Sequence, residues 1–158
     1  MEIKAPEPTP TLFYPEGPLR IFLAGSIEMG KAEKWQDRIV AALEGYDCIL
    51  LNPRRDDWDS SWVQDPTEGT KFHEQVNWEL ENIVESDLIV FYFDPNTQSP
   101  ITLLELGLVI GLNMNAIICC PDGYFRKGNI VITASGYEIT NTFEKLVEQI
   151  KIYISSAY

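Results

Sequence analysis

The chain is poor in the side chains that most metal and redox chemistry uses. It holds one histidine, His73, and three cysteines, Cys48, Cys119 and Cys120. A single imidazole excludes a His-rich metal site, and neither a metal nor an organic cofactor is expected. The odd cysteine count, the apolar surroundings and the lack of CxxC spacing point to reduced thiols in a cytoplasmic protein. All three read as packing residues. Positive charge is also scarce, with 12 Lys and Arg against 24 Asp and Glu and a formal net charge of −12. So acidic a chain lacks the electrostatic footprint for gripping a phosphate backbone or an anionic membrane. Neither nucleic acid nor membrane is therefore an expected partner, although local donors can still hold one phosphate of a small nucleotide. Long apolar runs are absent. The most apolar stretch, 101–112, falls short of the roughly 20 residues of a membrane span. The N-terminus has acids near its start and no long apolar core, unlike a signal peptide. Five of the ten prolines lie in the first 18 residues. Residues 1–18 thus read as a flexible, extended arm ahead of one domain over 19–158.

What is present is a globular composition. The chain has 158 residues, 45% of them apolar, enough for one domain with a sizeable core. Short β-type runs at 19–24, 47–51, 88–93, 116–120 and 130–133 alternate with helical patterns at 32–44, 72–85, 101–112 and 142–154. Alternation with short connections predicts a parallel sheet covered on both faces. The expected fold is α/β, a flavodoxin-like three-layer sandwich with a five-stranded parallel sheet in order 2-1-3-4-5. Ligands in such sheets sit beyond the carboxyl ends of the strands, at the switch point beside strand 1. That singles out Gly25 and Ser26 in the turn after strand 1, the segment from Asp94 to Ser99 after strand 3, and Asn52 and Arg54 after strand 2. Arg54 or Arg55 is a candidate partner for a site acid or a phosphate. Trp58 and Trp62, in the loop after strand 2, are suited either to stacking on a base or to closing over the core. The stretch GSIEMGK at 25–31 fits the start of a P-loop. However, Ala32 stands where the Mg²⁺-binding hydroxyl belongs, and Glu28 would put a negative charge inside a phosphate cradle. A glycine turn forming one wall of a pocket is the better reading.

Two acids stand out. Between residues 95 and 121 the only charged side chain is Glu105. On a helical wheel it falls roughly 40° from Ile101 and 20° from Leu112, on a helix apolar nearly all round and expected to be buried. Ser99-Pro100 is a good helix start, with Ser at the cap and Pro in the first turn. Glu105 then lies in the second turn and leans back toward the crevice. Glu79 repeats the pattern, roughly 20° from Phe72 and 40° from Ile83 on its own wheel. Asn77 is a candidate to orient it. Burying an unpaired carboxylate costs several kcal/mol. Such acids need a partner, a raised pKa or a task. One reading is a pair of structural acids, each satisfied by an arginine or a backbone amide. The other is glycosidic chemistry, in which an ionised carboxylate attacks the anomeric carbon and a second, protonated one serves the leaving group. Burying two acids near one another pushes their titrations apart in that way.

Three motifs resemble the nucleoside 2-deoxyribosyltransferase family: IFLAGSI at 21–27, NWELENI at 77–83 followed by SDLIV at 86–90, and SPITLLELG at 99–107. The resemblance covers most of the chain beyond the arm, and the last motif is the most specific. It implies that Glu105 is the nucleophile that forms a covalent deoxyribosyl-enzyme. It implies that Glu79, where Asp is usual, serves the base or its leaving nitrogen. Ser99 matches a position that binds the substrate's 5′ end, often Asp in the transferases and Ser in related deoxynucleoside monophosphate N-glycosidases. Phe22 replaces a family Tyr whose hydroxyl helps place the nucleophile. Asn129 sits at the spacing of an Asn that reaches a neighbouring subunit's site, and Tyr158 resembles a terminal Tyr of some transferases. Both imply a homo-oligomer with shared sites. The expected partners are small-molecule nucleosides and nucleobases, and the expected reaction is transfer of a 2-deoxyribosyl group between bases. Hydrolysis of a nucleoside 5′-monophosphate, and a non-catalytic nucleotide-sensing domain, are the alternatives.

Overall fold

The apolar runs that follow residue 18 are buried almost throughout, as strands inside a covered parallel sheet must be. The computed structural model describes residues 1–10, 17–28, 32–59 and 61–157. Its elements are β1 (Glu2–Lys4), β2 (Leu19–Gly25), α1 (Trp35–Ala42), β3 (Cys48–Asn52), α2 (Lys71–Val84), β4 (Leu88–Tyr92), α3 (Pro100–Gly111), β5 (Ala116–Cys119), α4 (Lys127–Thr133), β6 (Glu138–Thr140) and α5 (Phe143–Ser156). The sheet is parallel, in the order β1-β3-β2-β4-β5-β6. Its last five strands reproduce the expected 2-1-3-4-5 order. Side chains alternate across it. Phe22, Ala24 and Ile89 face a layer made by α2, α3 and α4, while Ile21, Leu23 and Val90 face α1 and α5. The result is the flavodoxin-like three-layer class.

Three expectations need correction. The sheet has six strands, not five. The start of the arm adds β1 to the edge, where Ile3 is buried, Glu2 accepts from Asn52 Nδ2 at 2.8 Å and Lys4 pairs with Asp56 at 3.0 Å. One apolar residue in three is too little to register as a strand pattern. Second, residues 130–133 are helical. Ile130 and Ala134 are buried while Val131 and Ile132 are exposed, which is helix spacing, so tertiary contacts override the β preference of an Ile-Val-Ile run. The sixth strand is instead Glu138–Thr140, paired with β5. Third, α3 is not buried all round. Thr102, Leu106 and Val109 face the sheet, whereas Ile101 is 59% exposed, Leu104 71% and Leu112 52%.

The carboxyl ends of β2 and β4 are locked side by side. Gly25 pairs with Tyr92, and the Ser26 N–H donates to the Tyr92 carbonyl at 2.9 Å. A Cβ on Gly25 would lie 2.5 Å from Trp35 Cζ2 and 2.6 Å from the Tyr92 carbonyl oxygen. Glycine is therefore required there by close packing. Trp35, at the start of α1, donates its indole N–H to the Ser26 carbonyl at 3.1 Å and so fixes the turn. The loops after β2 and β4 open at this end of the sheet, where α3 begins.

Candidate active site

Glu79 lies on α2 and Glu105 on α3, neighbouring helices of one layer. Each is half-buried at its surface. Burial raises the Glu79 carboxyl to about 7, and a hydrogen bond from Gln75 Nε2 to Oε1 at 2.8 Å opposes that rise. Burial raises Glu105 well above the ordinary carboxyl range, and the neighbouring charge of Glu79 adds to it. The two titrate as a pair, which keeps a proton to neutral pH. Neither acid has a basic partner among the described residues. Gln75 is the one hydrogen-bond donor to Glu79, and Glu105 has none. Gln75 is in turn fixed by donating to the Pro53 carbonyl at 2.8 Å.

Glu105 does not owe its burial to the neighbours that a helical wheel gives it. Its wheel neighbours Ile101 and Leu112 are exposed, and the core stripe of α3 runs through Thr102, Leu106 and Val109. Glu105 stands at the edge of that stripe.

Other expected residues take definite places. Phe22 is fully buried, its ring 6.2 Å from that of Trp78. Ser26, Thr97 and Ser99 form a closed triangle of buried hydroxyls, with Ser26–Ser99 at 2.5 Å, Thr97–Ser99 at 2.7 Å and Thr97–Ser26 at 2.8 Å. Ser99 begins α3 as expected but does not cap it with its side chain. The Glu28 carboxylate accepts from the Gln98 and Ser99 N–H groups instead. Asp94 turns its own loop, its Oδ1 accepting from the Asn96 N–H at 2.9 Å. Asn52 is engaged by Glu2 and by the Arg54 N–H, which it accepts at 3.0 Å. Asn77 is exposed and meets the His73 ring, so Gln75, not Asn77, positions Glu79. Asn129 is exposed on α4, and Tyr158, Met29, Gly30 and Lys31 lie outside the described residues.

The arginines do not reach the two acids. Arg54 donates to the Ala32 and Glu33 carbonyls at 3.0 and 2.9 Å. Arg55 pairs with Asp57 at 2.8 Å and Glu74 at 3.0 Å. Trp58 and Trp62 contact each other with ring centroids 5.1 Å apart, and the Arg55 guanidinium lies 5.0 Å from the Trp62 ring. Among the described residues no cluster of His, Cys, Asp and Glu is arranged to hold a metal, and no helix is long and apolar enough to cross a membrane.

The family described as nucleoside 2-deoxyribosyltransferase like matches residues 18–124. No curated protein matches the chain in sequence. A conserved protein from Enterococcus faecalis V583 has a similar structure, with a TM-score of 0.63 and 16% identity over 87% of this chain and 99% of that one. The CMP N-glycosidase BcmB from Clostridium botulinum aligns with a TM-score of 0.53 and 17% identity over 85% of this chain and 98% of that one. At these identities the likeness is one of fold.

Proposed function

The chain belongs to the nucleoside 2-deoxyribosyltransferase-like family, and from that premise we propose that it transfers the 2-deoxyribosyl group of a 2′-deoxynucleoside between nucleobases through a covalent intermediate on Glu105. One observation carries the reading. The purely structural role for the two acids calls for an arginine or a backbone amide on each, and among the described residues Glu105 has no such partner while Glu79 has only Gln75. A desolvated carboxylate that the fold does not satisfy is a group held ready for a reactant.

A Glu105 oxygen attacks C1′ and forms a C1′–O bond as the C1′–N bond breaks, through an oxocarbenium-like transition state. The departing base nitrogen takes a proton from Glu79. Holding that carboxyl near 7 keeps the proton available at neutral pH. The nitrogen of a second base then attacks C1′, the C1′–O bond breaks, and Glu79 takes the proton the incoming base sheds. Two inversions give net retention and ping-pong kinetics. The singly ionised pair holds one proton, which the charge of Glu79 keeps on Glu105 in the free protein; it must sit on Glu79 when the base leaves, so substrate binding transfers it from Glu105 to Glu79. If water replaces the second base, the same intermediate yields an N-glycosidase, a reading that the fold likeness to an N-glycosidase supports.

A second copy of the chain belongs to this reading. Asn129 stands on α4 next to Val131 and Ile132, and Ile132 is 78% exposed. Together with Ile101, Leu104 and Leu112 they give the outer side of the α2–α4 layer an apolar face suited to a homo-oligomer that shares its sites. The buried, unbridged thiols support a cytoplasmic setting.

The test is to incubate the protein with a 2′-deoxy-2′-fluoro nucleoside, whose fluorine slows breakdown of the glycosyl-enzyme. A sugar adduct on the Glu105 peptide, absent in Glu105→Gln, is the expected mass-spectrometric result. Base exchange by the Glu105→Gln variant would remove Glu105 from this role. Adding an acceptor base separates transfer from hydrolysis, since only transfer yields a new nucleoside.

A further inference from the structure

Glu28 joins the loop after β2 to the start of α3. Its Oε1 accepts from the Gln98 N–H and, at 3.1 Å, from the Ser99 N–H. Both ends of this link have left-handed backbones, with φ of 44° at Glu28 and 48° at Ser99. That region is unfavourable for residues with a Cβ, so the surrounding structure must hold them there. The Tyr124 hydroxyl closes the far side by donating to the Gln98 carbonyl at 2.7 Å. Free N–H groups and the dipole at a helix start favour an anion. Here the protein supplies its own anion.

The nearby hydroxyls point the same way. The Ser26, Thr97 and Ser99 hydroxyls lie within hydrogen-bond distance of one another, the Thr97 hydroxyl also reaches the Asp94 carbonyl at 2.9 Å, and Ser26 Oγ accepts the Asp94 N–H at 2.9 Å. The Ser99 hydroxyl is thus engaged inward, and the residue is 4% exposed. An independent observation marks this as the ligand side of α3. Glu105, nearly two turns further along, is the desolvated carboxylate without a hydrogen-bond partner among the described residues.

We propose that Glu28 is a specificity-determining residue, whose carboxylate takes the anion position at the start of α3 so that the site accepts an uncharged 5′-hydroxyl and rejects a 5′-phosphate. The inference rests on the glycosyl-transfer reading of Glu105. A 5′-hydroxyl can donate to the carboxylate. A 5′-phosphate carries between one and two negative charges at neutral pH and would meet a fixed like charge. Arg54 and Arg55, the cations expected at this end of the sheet, are held by the Ala32 and Glu33 carbonyls and by Asp57 and Glu74.

Glu28→Gln tests this directly, because the amide oxygen can keep both N–H bonds while the charge is lost. The readout is kcat/KM for a 2′-deoxynucleoside and for its 5′-monophosphate. The ratio of monophosphate to nucleoside is expected to be low in the wild type and to rise at least about tenfold in Glu28→Gln. A merely structural role would lower both values together and leave the ratio alone. A wild type that uses both substrates equally well, or a ratio that stays put, overturns the proposal. Calorimetry on the Glu105→Gln background, with and without Glu28→Gln, reads the same preference as affinity. If the fluoro nucleoside labels Glu105 but the preference does not move, this inference alone falls. If nothing binds and nothing is labelled, the glycosyl-transfer reading falls with it.

Discussion

Glu79 and Glu105 oppose the fold in the form in which they are charged. Both folded carboxyls have pKa values above the ordinary carboxyl range, because burial disfavours ionisation. Their protonated state therefore contributes stability that is complete below the unfolded value of about 4.3 and is lost as pH rises through about 7. Replacing both by Gln should leave the melting temperature near the wild-type value at pH 4.5 and raise it by roughly 5 °C at pH 8. Thermal unfolding followed by circular dichroism checks this, and a gap of equal size at both pH values would refute it. Activity should show the opposite dependence on the same protons. The pair sheds its first proton near 7 and only then holds one ionised and one protonated carboxyl, so the limb of kcat/KM that rises with pH is expected there. Gln75 donates to the charged form of Glu79 and holds its pKa down. Gln75→Leu should therefore move that limb to higher pH, which a pH–rate profile would show. Glu105→Gln should lower kcat/KM at least about a thousandfold at every pH. Glu105 was legible from sequence because a lone carboxylate in an apolar stretch is conspicuous, and Glu79 because it shares a helical face with Phe72 and Ile83. Gln75 was not, since a polar helix residue carries no such mark. Spacing nevertheless identifies it. Residues four apart on a helix face one another and residues two apart do not, which is why Gln75 meets Glu79 and Asn77 does not.

At the scale of elements, strands with both faces buried are the easiest to read, and β2, β3, β4 and β5 lie within a residue or two of their expected ranges. Elements that touch the core on one side only are harder. The run at 130–133 has strand chemistry and helix spacing, and spacing prevails because only Ile130 and Ala134 reach the core. The apolar stretch at 101–112 suggested burial on all sides because a sequence does not say which apolar face has a covering layer. Gly25 was legible as a turn residue, but the reason for glycine is visible only in three dimensions. A methyl group there would press on the Trp35 ring and on the Tyr92 carbonyl. The carbonyl belongs to the central strand pair and cannot swing aside. Gly25→Ala is therefore expected to cost about 1–3 kcal/mol by overpacking, and the turn that carries Ser26 should shift with it. Urea denaturation would report the loss, and a midpoint equal to the wild type would show that the strand pair yields more easily than its packing suggests.

For the whole molecule, the net charge of −12 works against self-association, so any contact between copies must use a face with little charge. The outer side of α3 is such a face. Glu105 is its one ionisable residue, and Ile101, Leu104 and Leu112 lie open beside it. Self-association through this layer should strengthen with added salt, which screens the like charges and leaves apolar contacts in place. Leu104→Glu should weaken it without unfolding the subunit, because Leu104 is already 71% exposed. Sedimentation velocity at two salt concentrations reads both effects, and a monomer under all conditions would remove the oligomer from the proposal. Sharing of sites calls for a stricter test. If Asn129 of one copy serves the Glu105 site of the other, Glu105→Gln and Asn129→Ala are each inactive alone. In a mixed dimer, however, one of the two sites keeps both intact residues. Random mixing makes half of the dimers mixed, so activity should recover to about a quarter of the wild-type value in a two-fold symmetric assembly. Sites built within single subunits would show no recovery, since every subunit then carries either a missing nucleophile or a missing Asn129.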